Sequence, residues 1–245
     1  MVKKLKYGFH KVYGRSKGRI CSYHLGGGHK KLYRFIDYKR VLTGVPAKII
    51  KIEKDPYRSA PLFLVGFSNG LLGYHLGISG LGVGDYLEVS RCTSSDDLDQ
   101  SGLSCPLGVV KVGCKVHNIE FYPGSGGALS RSAGSFSVIL KKYPHKILLK
   151  LSSGEYRLFS SDCLCTIGRV SGINHKEINL IKAGRVRWLG RRPIVRGQAM
   201  NPIDHPHGGR TNGGKVPVTP WGRIAKGKTT RKRRKNLFIV KRRRK

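Results

Sequence analysis

Charge is distributed very unevenly along this chain, and that distribution limits which part of it can fold alone. Residues 1–44 carry 12 Lys and Arg against one acid, residues 45–177 carry 15 against 11, and residues 178–245 carry 21 against one. A nearly balanced centre can collapse around an apolar core, whereas dense like charge opposes collapse in the two terminal arms. Because the formal net charge reaches +35, the arms predict a polyanionic partner such as a nucleic acid.

The segment 196–222 follows neither the helical nor the strand period, because Gly or Pro interrupts it every few residues. It includes the runs Asn-Pro-Ile-Asp-His-Pro-His-Gly-Gly and Thr-Pro-Trp-Gly, in which Asp204 is the last acid of the chain. A basic, irregular segment that prolines stiffen is typical of an extension whose shape is set by its partner.

The chain contains no segment that is typical of membrane insertion or secretion. No stretch approaches the roughly 18 apolar residues of a spanning helix, and the N-terminus lacks the hydrophobic run of a secretory signal. Its first residues are basic and free of acids, which mimics a mitochondrial transit peptide.

Six cysteines are scattered along the chain, at positions 21, 92, 105, 114, 163 and 165. None forms a C-x-x-C pair, so neither a zinc ribbon nor a disulfide framework is indicated. Cys21 lies near His24 and His29 in the sequence, which leaves a metal site there as an alternative. We predict free thiols in a reducing compartment and no bound metal.

Short apolar or alternating runs between turn signals predict a mainly β centre. These runs are residues 47–52, 61–67, 85–90, 109–112, 116–121, 135–140, 146–151, 156–159 and 166–170. Their length and spacing favour two small barrels that meet near Gly113, with a hairpin turn at residues 152–155. The helical pattern is confined to residues 174–183.

Two glycine-rich stretches, residues 23–31 and 122–134, carry basic residues at their borders. Glycine lets the backbone approach a phosphate closely and present its N–H groups to it. Flexible linkers are the alternative, but the nearby Tyr23 and Tyr33, whose rings can stack on splayed bases, favour RNA.

Residues 222–229 match the phosphate-loop pattern G-x-x-x-x-G-K-T. That pattern binds nucleotide only between a buried strand and the start of a helix. Prolines precede it here and a run of basic residues follows it, so we expect a coincidence rather than a nucleotide site.

Asp204, His205 and His207 form the most ambiguous cluster. They could bind a metal, or Asp204 could orient His205 as a general base. Pro206 disrupts the spacing of helix-borne ligands, and no Ser or Cys nucleophile is adjacent. A rigid, hydrogen-bonding tip inserted into RNA is the favoured interpretation.

In these motifs the chain resembles the universal ribosomal large-subunit protein number two family, in its bacterial and organellar form. The resemblance covers almost the whole chain in order. Its main blocks are His-Leu-Gly-Gly-Gly-His-Lys at 24–30, Asp-Pro with Arg-Ser-Ala at 55–60, Arg-Ser-Ala-Gly at 131–134, Asn-Pro-Ile-Asp-His-Pro-His-Gly-Gly at 201–209 and Thr-Pro-Trp-Gly at 219–222.

The resemblance implies an oligonucleotide-binding barrel followed by an SH3-like barrel, with extended basic arms. The expected segments are a basic N-terminal extension at 1–44, the first barrel at 45–112, the second barrel with a short helix at its end at 113–187, and a basic Gly/Pro-rich extension at 188–245. The resemblance also implies a structural protein that binds large-subunit rRNA, supports the peptidyl transferase centre and helps the subunits associate.

In the family view RNA catalyses peptidyl transfer, so no enzyme and no catalytic residue is expected; His205, with Asp204, is only a weak candidate. The expected partners are large-subunit rRNA, other ribosomal proteins and the small subunit, with no membrane and no homo-oligomer. No cofactor is expected beyond Mg²⁺ that accompanies the rRNA. The residues expected to bind RNA are the basic, glycine, aromatic and polar residues of the matching blocks and arms: Arg15, Arg19, His24, Gly26, Gly27, Gly28, His29, Lys30, Lys31, Arg34, Arg58, Arg131, Arg185, Arg187, Trp188, Arg191, Arg192, Arg196, Asn201, His205, His207, Arg210, Lys215, Trp221, Lys228, Arg231, Arg233 and Arg234.

The chain departs from the family pattern at its N-terminus, which is a few tens of residues shorter, and at Ser125, Ala128 and Arg210. Family-like sequence begins by about Gly14, which leaves little room for a cleavable leader. The short N-terminus and the cysteines favour an organelle-encoded mitochondrial protein, with a plastid or the bacterial cytoplasm as the alternative.

Overall fold

The computed structural model describes residues 5–8, 13–90, 101–209, 216–226 and 238–242. The chain divides into two compact units. The core unit comprises Met1–Phe9, Lys31–Asn179 and Leu237–Lys245, and the arm unit comprises His10–Lys30 and Leu180–Asn236. Each of these units combines stretches that are far apart in the sequence. The division therefore does not test the four contiguous segments expected from the sequence, and those segments stay a prediction.

The core unit is built mostly of short strands, and the described part of the arm unit contributes one strand pair within residues 15–20, a small hairpin at residues 217–225 and one short α-helix. In chain order the strands are β1 Lys6–Gly8, β2 Arg15–Ser16, β3 Arg19–Ile20, β4 Leu32–Arg34, β5 Ala47–Glu53, β6 Leu62–Phe67, β7 Leu72–Leu76, β8 Tyr86–Val89, β9 Leu103–Pro106, β10 Lys115–His117, β11 Ile119–Glu120, β12 Gly127–Leu129, β13 Ser137–Lys142, β14 Lys146–Lys150, β15 Tyr156–Ser160, β16 Leu164–Ile167 and β17 Ile239–Lys241. The helix α1 is Ala183–Trp188, and 3-10 turns lie at Ile173–Glu177 and Gly197–Ala199. None of the described helices is long and apolar enough to cross a membrane.

Eleven strands of the core unit form one mixed sheet in the order β17-β15-β14-β13-β10-β16-β9-β8-β5-β6-β7. The parallel pairing of β8 with β9 joins a half made of β5–β8 to a half made of the later strands. The predicted mainly β class is confirmed. The strand order is linear, and closure of each half into a barrel stays a prediction.

The strand β6 is apolar along its length because both of its faces are buried. Phe63 and Val65 belong to one apolar cluster, whereas Leu62 and Leu64 belong to a second cluster on the opposite face. A continuous apolar run is what a strand covered on both sides requires. The later strands enclose a separate core, whose fully buried members include Ile139.

Three sequence-based assignments are wrong or incomplete. The helix predicted over 174–183 is replaced by the 3-10 turn Ile173–Glu177 and by α1, because Ile181 adopts a left-handed φ of 60° that an α-helix does not contain. The strand predicted over 109–112 is a turn, in which Val110 fills the core. The strands β7 and β9 were not predicted, and neither were the short strands β1–β4, β12 and β17.

The strands β1 and β4 are linked to β5 by ion pairs and hydrogen bonds to the Glu53 side chain. The Lys6 ammonium lies 3.0 Å from the Glu53 carboxylate, Arg34 Nε donates to it at 2.9 Å, and the Tyr74 hydroxyl donates at 3.0 Å. Burial alone would raise the pKa of Glu53, but these three donors outweigh it and lower the pKa from 4.5 to about 2.

We expect the Glu53 cluster to make folding stability depend on acid. A carboxylate with a depressed pKa contributes stability above pH 4.5, and this contribution disappears as the pH falls towards about 2. The shift corresponds to roughly 3 kcal/mol at neutral pH. Urea unfolding from pH 7 to pH 2 should therefore show a steeper loss for the wild type than for Glu53→Gln. Parallel curves for the two proteins would contradict this assignment.

Candidate nucleic-acid interface

A wide groove of about 1060 Å³ opens on the core unit, beside the glycine-rich loop at residues 122–134. Its charged lining consists of Arg58, Arg131, Lys150, Arg169 and Lys176, and no carboxylate side chain is found among the described residues that line it. Serine hydroxyls and aromatic rings supply the remaining polar and flat surfaces. A groove with these groups suits a ligand that combines phosphate with planar bases.

Two arginines of the groove are held over aromatic faces. The guanidinium carbon of Arg131 lies 4.4 Å from the centroid of the Tyr38 ring, and that of Arg169 lies 5.3 Å from Phe136. Arg131 also donates to the Gly127 carbonyl at 3.2 Å, and Arg169 Nε donates to the Gly134 carbonyl at 2.8 Å. Each guanidinium is thus fixed by one backbone bond and keeps further N–H groups for an anion.

The loop that contains Arg131 is held by hydrogen bonds from its backbone to the buried carboxylate of Glu120. Glu120 is 1% exposed and accepts backbone N–H bonds from Gly124 at 3.1 Å, Gly126 at 2.9 Å and Leu164 at 3.1 Å. A β-bulge between β11 and β12 places this side chain under the loop, next to the buried Ile119. The acid therefore has a structural role and does not face the groove.

The arm unit has a different character, because its described residues enclose almost no core. Among them only His205 and Gly208 are buried. The sequence of this unit contains 21 Lys and Arg and one acid, Asp204. Neither apolar burial nor internal ion pairing therefore explains its compactness, and a bound polyanion would supply the missing counter-charge.

The glycines at 26–28 serve close packing within the arm unit. The Gly26 amide donates to the Gly190 carbonyl at 2.8 Å, and the Arg192 amide donates to the His24 carbonyl at 2.9 Å. A side chain on Gly28 would come within 2.7 Å of the Trp188 carbonyl oxygen, and its φ of 63° also favours glycine. This packing presents Arg191 and Arg192 beside the first glycine-rich stretch.

The loop at 200–209 is a compact structure closed by its own backbone. The Asn201 carbonyl accepts from the Asp204 and His205 amides, at 3.0 and 3.2 Å, and the Gly209 amide donates to the Met200 carbonyl at 3.3 Å. Gly208 is required here, since a side chain would meet the Asn201 carbonyl oxygen. The loop is therefore a preformed tip.

His205 is part of the scaffold of this tip. Its Nδ1 accepts the His207 backbone N–H at 3.0 Å, its ring packs on Gly197, and it is 8% exposed. No hydrogen bond joins it to the Asp204 carboxylate in the part of the chain that the structure describes. His207 Nε2 lies 3.0 Å from the Val216 carbonyl oxygen. This arrangement matches the hydrogen-bonding tip and offers no oriented general base.

Residues 217–225 form a small hairpin with Thr219–Pro220–Trp221–Gly222 at its end. The Thr219 amide donates to the Arg223 carbonyl at 2.7 Å, and the Gly222 amide donates to the Thr219 carbonyl at 2.9 Å. Pro at the second position and a left-handed Gly222, at φ 75°, are typical of such a turn. The start of the phosphate-loop match thus lies in a hairpin, and residues 227–229 lie outside the described part of the chain.

The described cysteines are free thiols, and Cys92 lies outside the described residues. Burial, followed by the charge of Glu120, raises the pKa of the Cys163 thiol to about 11, which makes it a poor nucleophile or metal ligand. Cys21, His24 and His29 each bond to backbone carbonyls. Within the described ranges no cluster of three His, Cys, Asp or Glu could hold a metal ion.

Two family profiles match successive parts of the chain. A family profile described as "Ribosomal Proteins L2, RNA binding N-terminal domain" matches residues 2–89, and one described as "Ribosomal Proteins L2, C-terminal domain" matches residues 100–222. The chain belongs to the ribosomal protein L2 family. It is 49% identical over 248 residues to the large ribosomal subunit protein uL2 of Orientia tsutsugamushi and to that of Rickettsia akari, covering 99% of this chain and 89% of each relative.

The structure divides the L2-family RNA-binding residues predicted above between the two units. The core unit contains Lys31, Arg34, Arg58 and Arg131. The described residues of the arm unit contain Arg15, Arg19, His24, Gly26, Gly27, Gly28, His29, Lys30, Arg185, Arg187, Trp188, Arg191, Arg192, Arg196, Asn201, His205, His207 and Trp221. Outside the described residues lie Arg210, Lys215, Lys228, Arg231, Arg233 and Arg234.

Two predicted RNA-binding arginines are paired with carboxylates of the core unit. Arg34 bonds to Glu53 and lies 3.8 Å from Asp55, and Arg58 forms an ion pair with Asp55. Arg58 also lines the groove, whereas Arg34 is 13% exposed in its side chain. If either arginine contacts a phosphate, its guanidinium group has to bind the phosphate and its carboxylate partner at the same time. The RNA-binding role of these two arginines stays a prediction.

Sequence reasoning did not select several groove residues. Lys150, Arg169 and Lys176 lie outside the glycine-rich stretches that drew attention to Arg131. The Tyr38 and Phe136 rings lie under the guanidinium groups of Arg131 and Arg169. Nothing in the local sequence of these two aromatic residues distinguishes them from aromatic residues of the core. The L2-family blocks include Arg-Ser-Ala-Gly at 131–134 but not these partners.

Proposed function

We propose that this chain is a structural, RNA-binding component of the large ribosomal subunit, with the groove and the arm unit as its RNA contacts. The separation of charge carries the proposal: an arm unit with 21 cationic residues and almost no described core accompanies a folded core unit with its own cationic groove. Membership of the L2 family supports rRNA as the polyanion. The protein is not an enzyme, in keeping with that family.

The test is sedimentation of native lysate on a sucrose gradient containing Mg²⁺, with and without high salt. Comigration with the large subunit that survives high salt supports an integral ribosomal protein. Release at moderate salt would indicate peripheral binding and would favour an alternative function for so basic a chain, the compaction of DNA. That alternative predicts equal affinity for duplex DNA and for large-subunit rRNA.

We further propose that the tip at 200–209 acts near the peptidyl transferase centre and in subunit association, with the small subunit as a partner. Its preformed backbone and buried His205 support a role in positioning RNA. No cofactor of its own is proposed, apart from Mg²⁺ held by the rRNA. We propose one copy per particle without self-association, which quantitative mass spectrometry of purified subunits would check.

Replacing His205 by Ala should weaken assembly or subunit association more than an isolated chemical step. The substitution removes the acceptor of the His207 amide and leaves a void beside Gly197. We expect the ratio of joined to free subunits on gradients to fall several-fold. His205→Asn, which keeps a side-chain acceptor, is the matched control. Normal assembly with slow peptide transfer would count against this role.

We propose a mitochondrial ribosome as the location, with a plastid or the bacterial cytoplasm as the alternative. The cysteine content supports the organelle, whereas the bacterial relatives are equally compatible with the alternative. Recovery of the chain in ribosomes from protease-treated, sealed mitochondria would support the first. Recovery only in ribosomes of a bacterial lysate would replace it with the second.

A further inference from the structure

Three rings of the arm unit lie in a row: Trp221, Tyr23 and His24. The centroids of Trp221 and Tyr23 are 5.8 Å apart with an angle of 56° between the ring planes. Tyr23 and His24 follow at 6.2 Å and 47°. Both pairs are tilted rather than stacked in parallel, so the rings do not cover each other face to face.

Most of the Trp221 side chain is exposed to solvent. It is 67% exposed and Tyr23 is 48% exposed. Among the described residues, Tyr23 is the ring in contact with Trp221. The other tryptophan differs, because the Lys182 ammonium lies 5.7 Å from the centroid of Trp188 and occupies one of its faces.

The exposure of Trp221 is built into the fold of its hairpin. The Thr219–Gly222 turn places Trp221 at the end of residues 217–225, where backbone hydrogen bonds order the turn. Tyr23 lies in a loop that is also ordered by its backbone, since the Cys21 and Ser22 amides both donate to the Gly14 carbonyl. A large aromatic surface held in water by two ordered loops is the arrangement expected of a binding platform.

We propose that this row, Trp221–Tyr23–His24, stacks on an unpaired nucleobase of the bound RNA. The inference rests on the proposed function and names the part of the RNA that this surface recognises. Surrounding cations attract phosphate of any sequence, whereas an open aromatic face binds the plane of a base. A paired base presents only its edges in a helix, so the occupant is a base that has left the stack.

The experiment uses the full chain with Trp188→Phe, so that Trp221 is the single tryptophan. It compares an unstructured oligoribonucleotide with an abasic oligomer of equal length and charge. We expect the base-containing oligomer to quench Trp221 fluorescence and to bind roughly 5- to 100-fold more tightly than the abasic one. Trp221→Leu should remove most of this preference without changing the abasic affinity, and Trp221→Phe should retain it.

Each other outcome identifies what fails. Equal binding of both oligomers without quenching would overturn base stacking while leaving RNA binding intact. The same follows if Trp221→Leu leaves the preference unchanged. Shielding of Trp221 from acrylamide in isolated subunits, without quenching by the oligomer, would assign the row to a protein partner instead. Failure of both oligomers to bind would overturn the proposed function together with this inference.

Discussion

Replacing Glu120 by Ala is expected to lower the free energy of unfolding by about 4 kcal/mol or more. The Gly124, Gly126 and Leu164 amides would lose their shared acceptor in a buried place. The guanidinium of Arg40, which is 2% exposed, would lose a nearby negative charge as well. Urea unfolding measures the loss, and amide NMR signals of the two glycines report the loop directly.

The variant should also damage the groove, because the freed loop carries Arg131. RNA affinity should therefore fall even though Glu120 does not face the ligand. Glu120→Gln, which keeps one carbonyl acceptor, should recover part of the stability. Glu177→Ala removes an exposed acid and serves as the matched control. A loss below 1 kcal/mol with unchanged glycine signals would show that the loop does not depend on this carboxylate.

The double variant Arg131→Ala, Arg169→Ala is expected to reduce affinity for large-subunit rRNA about 10- to 100-fold at moderate salt. If each guanidinium contacts one phosphate, the slope of log affinity against log salt should fall by about 1.4 to 1.8 in all. Fluorescence anisotropy with a fragment of the rRNA, over a series of salt concentrations, measures both quantities.

Lys48→Ala is the control for lost charge, since Lys48 is an exposed cation of the core unit that does not line the groove. Circular dichroism should show that the double variant remains folded, because each arginine makes only one backbone bond. An unchanged salt slope would mean that neither guanidinium touches phosphate, whatever happens to affinity.

The sequence predicted the β class and the longer strands of the central part of the chain, apart from β7 and β9, because the period of two is a local property. It failed where long-range packing decides the structure. Val110 lies in a run with strong strand propensity, but Gly108 and Gly113 end that run and the core takes the side chain from a turn. The strand β7 was missed because Gly73 and His75 interrupt its apolar pattern, although pairing with β6 compensates.

The candidate site shows the same division. Cationic and glycine-rich stretches were visible as composition, and they indicated the arms and the Arg131 loop. The groove was not visible, since Arg58, Arg169 and Lys176 meet only after folding. Glu120 gave no signal at all: an acid between Ile119 and Phe121 is expected on the exposed face of a strand, and a bulge reverses that expectation.

Because the described part of the arm unit has almost no core, we expect the stability of this protein in the cell to depend on the amount of RNA available to bind it. Since few of its described residues are buried, we expect bound RNA to contribute much of the free energy that orders it. Molecules synthesised in excess of rRNA keep this surface in water, where proteases and other polyanions meet it first. We therefore expect a chain bound to its RNA to be protected from proteolysis, whereas a surplus chain leaves its arm unit exposed and is degraded sooner.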